Sequence, residues 1–286
     1  MFKKRMTGLI MAGVLALGVL TGCGKSEGKK DNVLRVGMEC AYAPFNWTQE
    51  SKEVANGDEA VKIYGSEYYA YGYDVMMAKK LAEELGMELE IHKVEWDSIG
   101  MAMDAGEYDC IIAGMGKTAE REKSYAFTEP YYYRDNCITV KKGSELENIT
   151  GLSQLKGKNV VTTTQLGTGW VNILDQIPDT ELGSNYANTA ECFMAISNGV
   201  ADVAVIDVPT AESAAMTNDD LVVIMLDESD GFVGDEEMTN VCIATRKNDT
   251  ELRDKIQKAM DDLGWNDKEK MDEMMDEAMK LQPAAN

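Results

Sequence analysis

The chain has 286 residues, 44% of them hydrophobic, which supplies sizeable cores and excludes global disorder. Its 28 Lys and Arg against 50 Asp and Glu give a formal net charge of -22, which argues against nucleic acid or an anionic membrane surface as partner, since both need a basic patch. The length exceeds a usual domain of about 100 to 200 residues and predicts two lobes.

The N-terminus sets the compartment. Lys3, Lys4 and Arg5 precede an apolar run from Leu9 to Leu20, the pattern of a signal peptide over residues 1–22. The run is too short to span a membrane, which takes about 20 apolar residues. Leu20, Thr21, Gly22 and Cys23 resemble the bacterial lipobox, which implies that Cys23 is acylated, palmitate being the expected group, and becomes the first mature residue. Residues 23–31, polar and charged after the cysteine, read as a tether. The chain is therefore expected outside the cytoplasm, lipid-anchored to the cell membrane at Cys23.

Val33 to Met38 then reads as a strand, Asp74 to Leu85 as a helix capped by Asp74 and stopped at Gly86, and Glu88 to Val94 as a second strand. Ser98 to Ala105 is a short helix closed by Gly106, and Cys110 to Ala113 a buried strand that opens onto a glycine-rich turn. The second half repeats the alternation: strand Asn159 to Thr164, helix Gly169 to Gln176, helix Ala190 to Asn198, strand Val203 to Ile206, a helix after Pro209, and strand Leu221 to Leu226. Each half is predicted as α/β with a mainly parallel sheet. Tyr131 to Lys141 and Met238 to Ala244 are strand-like and separate the halves. If the terminal helices, Glu251 to Leu263 and Asp267 to Leu281, pack on the first half, the chain crosses twice. The methionines from Met271 to Met279 are expected in the core. Residues 48–71 read as an extended hairpin or surface loop.

Catalysis finds little support. The single histidine, His92, stands on a predicted strand and is expected to pack, and no Cys-rich, His-rich or paired-carboxylate motif surrounds a nucleophile. No enzyme activity, cofactor or metal is expected. Beyond Cys23 there are Cys40, Cys110, Cys137, Cys192 and Cys242, an odd number without metal-ligand spacing, so buried free thiols are expected over a Cys137 to Cys242 bridge. Gly116, Lys117 and Thr118 match the end of a phosphate-binding loop, but Ile111 stands where that loop needs glycine. A helix starting at Thr118 would instead leave backbone amides free for an anion, and Arg121 could aim its planar fork at a carboxylate. The alternative for Arg121 is an ion pair with Glu120 or Glu129. Asp207 ends an apolar strand where open α/β sheets face a cleft, and Gly167, Thr168 and Gly169 follow another strand as a second anion cradle. Arginine on one lobe and aspartate on the other would grip a zwitterion.

The segments Arg35 to Phe45 (RVGMECAYAPF), Gly72 to Leu85 (GYDVMMAKKLAEEL), Trp96 to Ile99, Tyr108 to Tyr132, Leu155 to Val160, Gly167 to Gly169, Ala201 to Pro209 and Val241 to Arg253 together resemble the family 3 solute-binding proteins, the amino-acid receptors of polar amino-acid ABC importers. The resemblance covers nearly all of residues 33–265. It implies a two-lobed periplasmic-binding-protein type II fold, a venus flytrap with two crossover strands, lobe one being 32–132 plus 240–286 and lobe two 137–236. It implies that Arg121 clamps a ligand α-carboxylate with help from backbone at Gly114, Gly116 and Gly169, that Asp207 takes the α-ammonium, that Tyr42 and Trp96 sandwich the side chain, and that Glu39 and Gln165 stand at its far end; Thr168, in the second anion cradle, is also expected at the site. Family members usually carry serine or threonine at Gly116, and some basic-ligand binders glutamine at Trp170. The partners implied are a free L-amino acid and a membrane permease, the protein itself being a monomer. Glu39, with no lysine or arginine evident to serve an acidic side chain, favours lysine or arginine as ligand; glutamine, or a fold-related enzyme such as a dehydratase, is the alternative.

Overall fold

The structure is a computed structural model that describes residues 32–234 and 238–283. The expected signal peptide, Cys23 with its tether, and Glu237 of the second crossover lie outside the described residues.

Val33–Met38 is apolar almost throughout because both its faces are covered. It is flanked in parallel by Glu88–Lys93 and Cys110–Ile111, pairing Val33 with Glu88 and Gly37 with Ile111. Asn240–Arg246 and Tyr125–Tyr133 complete this five-stranded sheet in antiparallel sense, with register shifts around Cys242. The second five-stranded sheet runs Glu181–Leu182, Val161–Thr163, Val203–Asp207, Asn136–Lys141, Leu221–Ile224. Its first two pairings are parallel and its last two antiparallel. The fold is thus α/β and two-lobed, of periplasmic-binding-protein type II, but each sheet is mixed rather than mainly parallel. The cause is the crossing. Tyr125–Tyr133 ends one sheet and passes directly into Asn136–Lys141 of the other, leaving no room for the helix that a parallel connection needs. The strand-like stretch from Tyr131 to Lys141 accordingly breaks at Arg134 and Asp135. Arg134 N donates to Thr239 O on the return crossing at 2.8 Å, and Val208 N donates to Asp135 O at 2.9 Å.

Helices Thr250–Asp262 and Lys268–Leu281 pack against Tyr125–Tyr133 and helix Tyr73–Glu84, burying Met271, Met274 and Met275. Residues 48–71 form no free loop. With Ala41–Tyr42 and the start of strand Asn46–Gln49 they build a four-stranded antiparallel sheet, tied to the rim of the first sheet by Ile63 beside Ile91 and to helix Tyr73–Glu84 by Lys79 on Asp58. His92 stacks on Tyr64 at 4.6 Å and contacts Glu90 at 2.7 Å, a packing role. Cys40, Cys110, Cys137, Cys192 and Cys242 are free and buried.

Helix Tyr73–Glu84 departs from expectation at its start. Asp74 lies in the first turn, fully buried, and does not cap it. The free N–H groups of Tyr73 and Asp74 donate instead to Pro44 O and Phe45 O at 3.0 and 2.7 Å. That approach requires Gly72, at φ 121°, where an added Cβ would stand 2.5 Å from Phe45 O. Gly72→Ala is expected to lower unfolding free energy by about 1 to 3 kcal/mol, read as an earlier urea midpoint, through positive-φ strain and the backbone clash. An unchanged midpoint would refute that account.

Candidate functional site

The ends of strands Val33–Met38 and Cys110–Ile111 in one sheet, and Val161–Thr163 in the other, face a cavity with an empty volume of ≈ 280 Å³. From the first lobe come Glu39, Tyr42, Trp96, Gly114 and Arg121, from the second Gln165, Thr168, Gly169 and Trp170, and from the crossing Arg134. Eight of the ten expected site residues therefore converge here. Gly116 and Asp207 stand just behind the lining and touch it through hydrogen bonds.

The turn after Cys110–Ile111 supplies the arginine, though not as a helix N-terminus. Residues 115–118 belong to no helix and are held to the returning strand by Cys242 N to Met115 O at 2.9 Å and Lys117 N to Asn240 Oδ1 at 2.7 Å, and only a short 3-10 turn, Arg121–Lys123, follows. Thr118 still serves locally, its Oγ1 accepting from Arg121 N at 3.1 Å. Glu120 pairs with Lys123 and not with Arg121. The Arg121 guanidinium lies 5.2 Å from the Trp96 ring and donates to Gly116 O at 2.8 Å and Gly167 O at 3.1 Å. Gly116 and Gly167 thus present carbonyls to the arginine, where the sequence had suggested amides for an anion. Because Trp96 Nε1 also donates to Gly167 O, at 3.3 Å, this one carbonyl ties the lobes together. Gly114 sits at φ 62° beside the Tyr42 ring, where an added Cβ would stand 2.5 Å from Tyr42 Cε1, so only glycine fits.

Asp207 ends its strand as expected and caps helix Val208–Thr217, accepting from Thr210 N at 3.0 Å. It is fully buried. Its other oxygen accepts from Tyr42 OH at 2.5 Å, and that hydroxyl accepts in turn from Arg134 Nη1 at 2.6 Å. Tyr42 and Trp96 both line the cavity, but each already has one face covered: Tyr42 stacks on Phe45 at 4.9 Å and Trp96 carries the Arg121 guanidinium. Arg134 escaped the sequence reading. The signal was a lone cation in a stretch otherwise legible as strand, which is where a charge must find a buried partner.

Also in the lining, Gln165 Nε2 donates to Glu39 Oε1 at 3.1 Å, across the lobes. Burial, only partly offset by that bond, pushes the Glu39 carboxyl up to about 8, while burial and the neighbouring Arg134 lower Arg121 to about 10. Glu39 is thus mostly protonated at neutral pH. A carboxyl whose folded value lies above its unfolded one holds its proton more tightly in the fold, so its contribution is intact below about 4.5 and is lost as pH rises toward 8. With no ligand present, Glu39→Gln should therefore flatten the pH dependence of Tm between pH 5 and pH 8. At about 1.4 kcal/mol per pKa unit, the parent should lose a few kcal/mol more than the variant over that range. Parallel Tm curves would show that Glu39 ionises freely in the fold.

Residues 34–277 match the bacterial extracellular solute-binding proteins, family 3. Among curated relatives, the arginine-binding extracellular protein ArtP of Bacillus subtilis (strain 168) is 30% identical over 270 residues, spanning 90% of this chain and 92% of ArtP. The crystal structure of the substrate binding protein of an amino acid ABC transporter matches with a TM-score of 0.68 at 25% identity, covering 87% of this chain and 100% of that one. That of the ancestral amino acid-binding protein AncCDT-1, a precursor of cyclohexadienyl dehydratase, matches with a TM-score of 0.66 at 28% identity, covering 89% and 96%. With the two-lobed fold and the cavity between its sheets, the match over residues 34–277 makes this chain a member of the bacterial extracellular solute-binding proteins, family 3.

Proposed function

We propose that the chain is a non-enzymatic receptor that captures a free polar L-amino acid outside the cell and delivers it to the permease of an ABC importer, held to the membrane by a lipid on Cys23 and acting as a monomer. The observation that carries this is a cavity between the lobes whose lining includes both the Arg121 guanidinium and the buried pair Glu39 and Gln165. That combination suits a ligand with a charged head and a polar tail. In this reading the α-carboxylate meets the Arg121 fork beside Gly114 and Gly169, the α-ammonium reaches toward Asp207, and the side chain runs past Trp96 and Tyr42 to Glu39.

Arginine or lysine is the favoured ligand, consistent with the name of the ArtP relative. The Glu39 carboxyl would ionise against the incoming cation and give up its proton, so affinity should rise with pH toward about 8. Glutamine is the second reading, because a protonated Glu39 bonded to Gln165 offers a neutral donor and acceptor that also fit an amide. A dehydratase would use the same proton on substrate, and turnover by the purified chain would overturn the receptor reading.

Calorimetric titration of arginine, lysine, glutamine and glutamate into the parent, Arg121→Ala and Glu39→Gln tests these assignments. Arg121→Ala should remove binding by thirtyfold or more, since an unpaired buried charge costs about 2 to 5 kcal/mol. Glu39→Gln should weaken cationic ligands tenfold or more and spare glutamine. A parent that prefers glutamine would move the assignment to the amide, and one that binds none of the four would refute it.

The lobes, taken as 32–132 with 240–286 and as 137–236, are proposed to close on ligand about the two crossings. Small-angle scattering should show a smaller radius of gyration at saturating ligand. Superimposable curves would count against closure.

A further inference from the structure

A cation and a carboxylate meet at the inner wall of the cavity through a shared tyrosine hydroxyl. Arg134 lines it with its side chain 9% exposed, and its Nη1 stands 4.0 Å from Asp207 Oδ2 with the Tyr42 hydroxyl bonded to both. Its guanidinium is sandwiched at 5.1 Å from the Trp170 ring and 5.8 Å from the Phe45 ring, yet its buried Nε has no partner. Asp207, for its part, is fully enclosed, with Thr210 N on one oxygen and Tyr42 OH on the other. A ligand ammonium can reach that carboxylate only by shifting Tyr42 or Arg134, and it approaches against a like charge. An incompletely bonded guanidinium on a crossing between lobes is suited to such a shift, since the segment it stands on is where the lobes hinge in the receptor reading.

We propose that Arg134 is an internal counter-ion that neutralises Asp207 in the empty receptor and competes with the ligand's α-ammonium for it, so that this residue sets how tightly the receptor holds its amino acid. The inference rests on the receptor reading above. It makes the empty state a satisfied one: a carboxylate buried for a ligand's ammonium is otherwise left without a counter-charge whenever the site is vacant, a costly arrangement in a low-dielectric wall. It also weakens the α-amino group as a recognition element, because each ammonium bond gained displaces one that the chain already makes.

The test compares the full mature chain with Arg134→Met, which removes the charge at similar length, and Arg134→Lys, which keeps it. Calorimetry uses L-arginine, L-glutamine, L-glutamate and 5-guanidinopentanoate, the analogue of arginine without its α-amino group. Arg134→Met is expected to bind arginine or glutamine at least tenfold more tightly than the parent, and its preference for arginine over 5-guanidinopentanoate should widen by a similar factor. Arg134→Lys should resemble the parent in both. A variant that merely loosened the fold would bind every ligand more weakly and leave that preference unchanged. Equal or weaker arginine and glutamine binding by a folded Arg134→Met overturns the inference while leaving the receptor reading standing. So does a parent that binds glutamate best and loses it in Arg134→Met, which would make Arg134 a group for the ligand's own anion. If neither parent nor variants bind any of the amino acids, the receptor reading fails and takes the inference with it.

Discussion

A carboxylate with no access to water has to be bonded on all sides, and the geometry of the first lobe follows from how Asp74 meets that demand. Its oxygens accept from Asn46 Nδ2 at 2.7 Å and Tyr131 OH at 2.5 Å, and even so burial pushes the group up to about 6. The Tyr131 hydroxyl, turned toward Asp74, accepts from Gly114 N at 3.1 Å and so fixes the glycine turn that floors the cavity. The Tyr131 carbonyl receives Tyr73 OH and Trp265 Nε1 at 2.7 and 2.9 Å, which pins the start of the crossing to the helical layer. One acidic side chain thus couples the small sheet, the helix that carries it, the crossing and the site.

The cavity repeats the problem with more charges. Arg121 spends its donors on carbonyls from both lobes, Arg134 and Tyr42 cover Asp207, and Glu39 avoids an unpaired charge by keeping its proton. In the proposed reading each solution is provisional, because a ligand supplies better partners: a carboxylate for Arg121 and a cation that lets Glu39 ionise. Binding at such a site exchanges internal partners for external ones, so affinity depends on the difference between two sets of bonds rather than on the ligand's contacts alone.

Much of this was legible in the residues. Period-two and period-3.6 patterns placed Val33–Met38, Tyr73–Glu84, Val203–Asp207 and the terminal helices to within a residue or two, because each buries one face or both in its own lobe. The readings that failed share a cause, namely partners far away in sequence. Asp74 has the look of a helix cap, yet Pro44 and Phe45 supply the capping carbonyls and free its side chain for Tyr131. Thr118 has the look of a helix start, yet it opens only one short turn, and Asn240 and Cys242, more than a hundred residues on, tie the residues before it to the returning strand. Arg134 shows locally only a charge in a strand-like stretch; its meaning comes from Asp207 and Tyr42, which the crossing brings beside it. Sheet direction was missed for the same reason, since a strand that changes lobes cannot be recognised from its own composition.

The five buried thiols bear on where such a chain can work. Burial raises Cys40, Cys192 and Cys242 to about 12 and pushes Cys110 and Cys137 well above the usual thiol range. At neutral pH a group near 12 is ionised in only about one molecule in 10⁵, and it is the ionised sulfur that reacts with oxidants or disulfides. In the folded chain these five thiols consequently gain no bond from an oxidase and lose none to a reductant. They serve as packing atoms in a medium of either redox character, with the risk of their wrong pairing confined to the interval before folding is complete.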